Sequence, residues 1–232
     1  MTKQLREPGA VIGPKAALND SAGEYGGEKP DMKFIGITGG VGAGKTEILN
    51  YIRKHYKCEI HLADRVAEQL QEPGTACFQK LVELLGAEIV APDGQLDRKQ
   101  MAARIFSDPE LLEQVNGIVH PAVRVFLLER LEAARASGEI ELFFVEAALL
   151  IEAGYRELVD ELWYIYADEE VRRQRLERER GYSPEKTAKI MASQLGEDIF
   201  RKNCDFVIDN SGSLIESYQQ IDRKLEAFTW QE

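Results

Sequence analysis

An apolar, β-branched run, Phe34-Ile-Gly-Ile-Thr38, passes directly into Gly39-Gly-Val-Gly-Ala-Gly44-Lys45-Thr46, and helical spacing at Ile48, Leu49 and Ile52 follows. A glycine-rich turn that leaves a strand, ends in Gly-Lys-Thr and opens a helix is the pattern of a phosphate-binding loop. The reason is physical. A chain folded around a phosphate must turn several N–H groups inward, and glycine permits both the dihedrals and the close approach. The helix behind adds its own N-terminal N–H groups and its dipole. Gly39, Gly40, Gly42, Ala43, Gly44, Lys45 and Thr46 are therefore candidate nucleotide-binding residues. Lys45 would bridge the β- and γ-phosphates, and the Thr46 hydroxyl is placed to ligate Mg²⁺. Glu47 would contribute its backbone N–H while its side chain turns away. A chance glycine turn would not supply every fixed position between a strand and a helix.

Such a loop demands a parallel sheet, and the rest of the sequence supplies one. Cys58–Ala63, Phe143–Ala147, Leu162–Ala167 and Phe206–Asp209 read as further strands, and Ser213-Leu-Ile-Glu216 is a capping box that opens a last helix. Strands separated by helices imply an α/β fold, here a five-stranded parallel sheet with helices on both faces. Between the second and third strands the sequence is helical, with breaks expected at Pro73-Gly74, Pro92-Asp93-Gly94 and Pro121. Ser107-Asp-Pro-Glu110 reads as a helix start with proline in the first turn. Residues 1–31 carry many Gly and Pro and few large apolar residues, so they read as a flexible N-terminal extension without a signal-peptide core. Residues 32–232 read as one domain, with a helical acceptor-binding part over about 66–138 and a mobile helical lid over about 168–200.

Composition narrows the function. Lys plus Arg number 29 against 40 Asp plus Glu, a net charge of −11, which argues against a general nucleic-acid-coating protein. No apolar run approaches the roughly 20 residues of a membrane span. The three cysteines are widely spaced and include no CxxC, which fits a reducing cytoplasm and free thiols. No Asn-Lys-x-Asp guanine-reading motif is present. A small-molecule kinase suits this length better than a motor or transporter ATPase.

Three places carry candidate chemistry beyond the loop. Asp64 stands just past the second strand, on the rim where parallel sheets bind ligands. It can take a hydroxyl proton or orient a metal-bound water, and it can equally cap the helix Arg65–Gln71. Glu146 ends the third strand, where an acidic residue commonly holds Mg²⁺ through water; a solvent-facing strand-end charge is the alternative. After the fourth strand a helix carries Arg172, Arg173, Arg175, Arg178 and Arg180. Glu169 and Arg173 form an i,i+4 surface pair. One or two of the five are expected to close over a transferring phosphoryl group, and the rest to be solvated.

With these residues in place, the sequence from Met32 to about Phe228 resembles the dephospho-coenzyme A kinase family. The ordered landmarks are the phosphate loop; Ala63-Asp64 with Glu72-Pro-Gly74; Leu96-Asp-Arg98 reaching Ile105-Phe106; Asn116 to His120-Pro121; Leu149-Leu150 with Glu152; Ile190 to Gln194; and Ile208-Asp-Asn-Ser-Gly212. The resemblance implies transfer of the ATP γ-phosphoryl to the ribose 3′-hydroxyl of dephospho-CoA, with Mg²⁺. It carries the general base onto Asp64 and a lid arginine onto Arg178. It puts Arg98 and His120 in the acceptor-binding part, and Asn210 near the adenine of ATP. An acceptor with a pyrophosphate implies a locally basic pocket, to which Arg98 and Arg104 would contribute. The sequence departs from the family pattern at Leu62, Glu68, Glu146, Ala148, Val171 and Gln174. Two other readings of the same residues are a different small-molecule P-loop kinase, with a nucleoside or nucleotide acceptor, and a degenerate ATP-binding regulatory protein.

Overall fold

The computed structural model describes residues 32–106 and 108–229. The extension expected over residues 1–31 lies outside the described residues. The strands are β1 (Lys33–Thr38), β2 (Cys58–Leu62), β3 (Leu142–Glu146), β4 (Glu161–Tyr166) and β5 (Phe206–Asp209). They form one sheet in the order β2-β3-β1-β4-β5, and every pairing is parallel. The strand bounds fall within about a residue of those read from the sequence, because strands buried on both faces are near-continuous apolar runs.

Alternation along each strand splits the interior into two cores. On one face Phe34, Phe143, Val145 and Leu162 pack against the helices inserted between β2 and β3. On the other, Ile35, Ile37, Phe144, Trp163, Ile165 and Ile208 pack against α1 (Lys45–His55) and the last helix, α9 (Leu214–Thr229). Each fully buried side chain of this size contributes about 1.5–3 kcal/mol, so β1, at the centre of both cores, is rigidly placed. The phosphate loop hangs from its C-terminal end.

The insertion consists of α2 (Ala63–Leu70), α3 (Ala76–Leu85), a 3₁₀ turn at Ala87–Ile89, α4 (Arg98–Phe106) and α5 (Pro109–Ser137). The break expected at Pro121 does not occur: α5 runs through it. A proline inside a helix costs about 3 kcal/mol, through a lost hydrogen bond and a clash with the residue four earlier. Here that residue is Gly117, which has no Cβ and open space around it. The buried stripe Val115, Val119, Val123, Leu127 and Leu131 spans the proline and holds the helix together. Asp108 caps α5 by accepting from the Leu111 N–H at 3.0 Å. Past β4 come α6 (Glu169–Arg178), α7 (Pro184–Ala192) and α8 (Glu197–Asn203), the segment expected to be a lid.

Candidate active site

The phosphate loop closes over the C-terminal ends of β1, β3 and β4. Gly42 (φ 83°) and Gly44 (φ 90°) lie in the left-handed region that glycine alone enters at no cost. Gly44 is the N-cap of α1, so the helix begins with its N–H groups directed into the loop. The carbonyls of Val41, Gly42 and Ala43 are held from outside the loop. Arg172 Nε donates to Val41 O at 3.0 Å, Arg175 donates to Gly42 O and Ala43 O at 3.4 and 3.3 Å, and Asn210 Nδ2 donates to Ala43 O at 2.7 Å. Arg175 also donates to Asn210 O at 2.9 Å. A Cβ on Gly40 would collide with the Arg172 guanidinium, and one on Gly44 with the Asn210 amide. Two of the loop's glycines are therefore required by the residues that brace it.

Lys45 lies in the cavity enclosed by this loop, about 260 Å³ in volume. Its ammonium donates to Gly39 O at 2.7 Å and sits 3.6 Å from Glu146 Oε1. Burial pushes the Lys45 ammonium below its ordinary value, Glu146 opposes that shift, and Arg180 and Arg172 add to it. Burial also raises the Glu146 carboxyl; Lys45 opposes this and the Asp64 charge reinforces it. Desolvation therefore outweighs the attraction in both members of the pair. An arriving polyphosphate, with several charged oxygens, offers Lys45 a better partner than Glu146.

A second cavity, about 480 Å³, opens beside the first between the insertion and the α7–α8 segment. Its walls are mainly apolar, with Ala67, Val119, Val123, Leu149 and Phe200 among them, and His120, Glu152 and Gln194 are its polar edge. Asp64 lines both cavities, as do Val41 and Ala148. The capping reading of Asp64 fails. The N-cap of α2 is Leu62, and Asp64 lies inside the first helical turn. Its carboxylate accepts no hydrogen bond from the described residues and is free to meet a ligand at the junction.

The other expected site residues divide. His120 lines the larger cavity; Thr46 and Glu146 line the phosphate cavity. Glu47 is exposed and its N–H donates to Gly44 O at 3.1 Å, so it is occupied in the first helical turn instead of facing the cavity. Arg98 is exposed at the start of α4 and lines neither cavity, and Arg104 pairs with Glu88. Among the described residues no Lys or Arg lines the larger cavity, so the basic pocket expected there is instead an apolar one. Arg178 is exposed and lines neither cavity; the arginines at the phosphate cavity are Arg53, from α1, and Arg180, two residues past Arg178. Asn210 is 1% exposed, with Oδ1 accepting from Ser217 and Nδ2 donating to Ala43 O. It braces the loop from behind and has no free atom for an adenine.

Sequence reasoning missed Arg172, Arg175, Gln194 and Ser217 as parts of this frame. The i,i+3 spacing of Arg172 and Arg175, beside the buried Leu176, was the available signal: it sets both guanidiniums on the face of α6 that packs inward.

Among the described residues no cluster of three or more His, Cys, Asp or Glu forms a metal cage. Mg²⁺ typically uses one or two carboxylates together with substrate phosphates and water. The Thr46 hydroxyl and the Glu146 carboxylate in one cavity match that requirement.

Comparison with known proteins bears on the whole domain. The family model described as dephospho-CoA kinase matches residues 33–216. A dephospho-CoA kinase of Symbiobacterium thermophilum is 35% identical over 82% of this chain and 79% of its own length. That of Leifsonia xyli subsp. xyli is 35% identical over 82% of this chain and 96% of its own. A crystal structure of a Thermus thermophilus protein superposes with a TM-score of 0.72 at 31% identity, covering 84% of this chain and 97% of that one. The match runs without interruption from the phosphate loop to the start of α9, taking in both cavities, and the chain belongs to the dephospho-CoA kinase family.

Proposed function

We propose that the protein transfers the γ-phosphoryl group of ATP to the ribose 3′-hydroxyl of dephospho-CoA, giving coenzyme A and ADP. Family membership supports the kinase activity and the use of ATP. The observation that carries the chemistry is the position of Asp64, an unpaired carboxylate in the wall shared by the two cavities. ATP enters the smaller cavity with its β- and γ-phosphates on the loop N–H groups. The nucleoside end of the acceptor fills the larger one, whose apolar walls suit an aromatic base. The 3′-oxygen attacks the γ-phosphorus in line, the bond to the β,γ-bridging oxygen breaks, and ADP leaves. The hydroxyl proton passes to Asp64. Lys45 shifts from Glu146 to the phosphates, and Arg180 takes the part that the resemblance gives to Arg178, neutralising the equatorial oxygens. Thr46 and Glu146 would hold Mg²⁺, which supplies charge neutralisation between the phosphates when bound.

The helical insertion over about 66–138 forms the acceptor side, and 168–200 acts as the lid. The net charge of −11 and the apolar cavity favour a small-molecule acceptor over nucleic acid. A cytoplasmic site of action is supported by the three free cysteines and, among the described residues, by the lack of any helix long and apolar enough to cross a membrane. The test is incubation with ATP, Mg²⁺ and dephospho-CoA, followed by mass analysis for a product heavier by one phosphoryl group and by mapping of its position on the ribose. Phosphorylation of nucleosides or nucleotides in preference to dephospho-CoA would favour a different acceptor. ATP binding with no product would make the chain a nucleotide-binding regulator.

A further inference from the structure

The two cavities share Val41, and one side chain lining the larger cavity is bonded to that residue of the phosphate loop. Gln194 follows α7 and lines the larger cavity. Its Oε1 accepts the Val41 N–H at 3.1 Å and also accepts from a terminal nitrogen of Arg172. Arg172 in turn donates through Nε to Val41 O at 3.0 Å. Both polar backbone atoms of Val41 are thus gripped, the N–H by Gln194 and the C=O by Arg172. Because both partners of Oε1 are donors, the orientation of the amide is fixed. The Gln194 amide nitrogen has no hydrogen-bond partner among the described residues, which leaves two N–H donors for a ligand. Gly40 makes the grip possible, since the Arg172 guanidinium lies where its Cβ would be.

We infer that Gln194 is a positioning residue that couples occupancy of the acceptor cavity to the conformation of the phosphate loop. The inference rests on the reading that the larger cavity takes the acceptor. The Oε1 of Gln194 occupies the Val41 N–H, at the rim of a loop whose N–H groups serve phosphate. A ligand in the acceptor cavity touches the same side chain and meets its unused donors. Any shift of Gln194 toward that ligand releases or reorients the Val41 peptide, so each ligand changes the free energy of binding the other. Coupling of this kind is reciprocal, and typical values correspond to about 5–150-fold in affinity.

The experiment is titration calorimetry of a non-hydrolysable ATP analogue, with and without saturating dephospho-CoA, on the full chain. The wild type is expected to bind the analogue at least about 5-fold differently in the two conditions, and dephospho-CoA should show the same factor when the order is reversed. Gln194→Leu keeps the cavity wall and removes the oxygen. Its coupling ratio should fall below about 2-fold, whatever the change in either single affinity. Gln194→Asn is too short to reach Val41 and should lose the coupling too; it decides the matter if the leucine variant fails to fold. Gln194→Glu keeps an oxygen for the Val41 N–H and Arg172 but removes the amide donors, so it should keep wild-type stability and lose the coupling. A merely structural role would move stability or both affinities together and leave the ratio intact. Coupling that persists in the leucine or asparagine variant, or a wild type that makes coenzyme A without coupling, overturns the inference alone. A wild type that makes no coenzyme A overturns the acceptor reading and the inference with it.

Discussion

The two cavities that meet at Asp64 are made from different material. The phosphate cavity is made mostly of backbone. One continuous stretch, Gly39–Thr46, supplies its N–H groups, and residues from α6 and the end of β5 pin its carbonyls from outside. The acceptor cavity is made of side chains. Its lining comes from α2, α5, the segment after β3, and the α7–α8 region, and most of those side chains are small or aliphatic. Backbone fixes what the first cavity binds, because every polyphosphate presents the same oxygens. Side chains let the second vary in shape while the fold stays constant. Substitutions near the loop should therefore act on rate in an all-or-none manner, and those in the acceptor cavity should act by degrees.

The sharpest test of this contrast lies where the cavities join. Asp64→Asn keeps the shape and removes the proton acceptor, so kcat should fall about 10²–10⁴-fold. Calorimetric ATP affinity and the melting temperature should stay near wild type, since the carboxylate braces nothing. Next is Lys45→Ala, which removes a donor aimed at developing charge. Steady-state turnover should drop about 10²–10³-fold, or roughly 3–4 kcal/mol. A folded Lys45→Ala enzyme with normal turnover would mean that the loop does not hold the reacting phosphates.

Arg180→Ala should slow transfer by about 10–100-fold, whereas Arg178→Ala should leave kcat and KM unchanged. Parallel rate measurements on the two variants distinguish them, and a reversed result would restore the arginine suggested by the resemblance. Asn210→Ala should act through support rather than chemistry. It removes one bond to the Ala43 carbonyl and one from the Ser217 hydroxyl, each of which keeps another partner, so denaturant unfolding should show a loss of about 0.5–1.5 kcal/mol, with a raised KM for ATP. The smallest effect is expected from Leu149→Ala. Leu149 lines the acceptor cavity yet is 56% exposed. Its truncation should raise the KM for dephospho-CoA by about 10-fold and leave stability and ATP binding alone.

The same contrast explains what could be read from sequence. The loop and its strand were legible because the information is local: Phe34–Thr38, Gly39–Thr46 and the helical spacing behind them are consecutive. Asp64 was legible as a rim carboxylate, although its role as a cap was resolved only by the start of α2 at Ala63. The arginines of α6 were not legible individually. Five similar side chains on one charged helix differ only in where the helix packs, and the loop lies some 130 residues earlier in the chain. Asn210 was legible as a landmark but not in its direction, which depends on Ala43 and Ser217. Pro121 was misread because propensity sees the missing N–H, while the packing of Val115 to Leu131 on both sides of it is a tertiary matter.

The bond from Asn210 to Ala43 spans 167 positions of the chain. A ribosome adding about 5–20 residues per second takes on the order of 10–30 s between making the loop and making its brace. Until Arg172 and Arg175 emerge the loop lacks their grip on its carbonyls, it lacks that of Asn210 for longer still, and β4, which flanks β1, is also made late. The nascent chain therefore carries a complete nucleotide-binding motif well before that motif has its full set of braces, the last of which comes with the fifth strand.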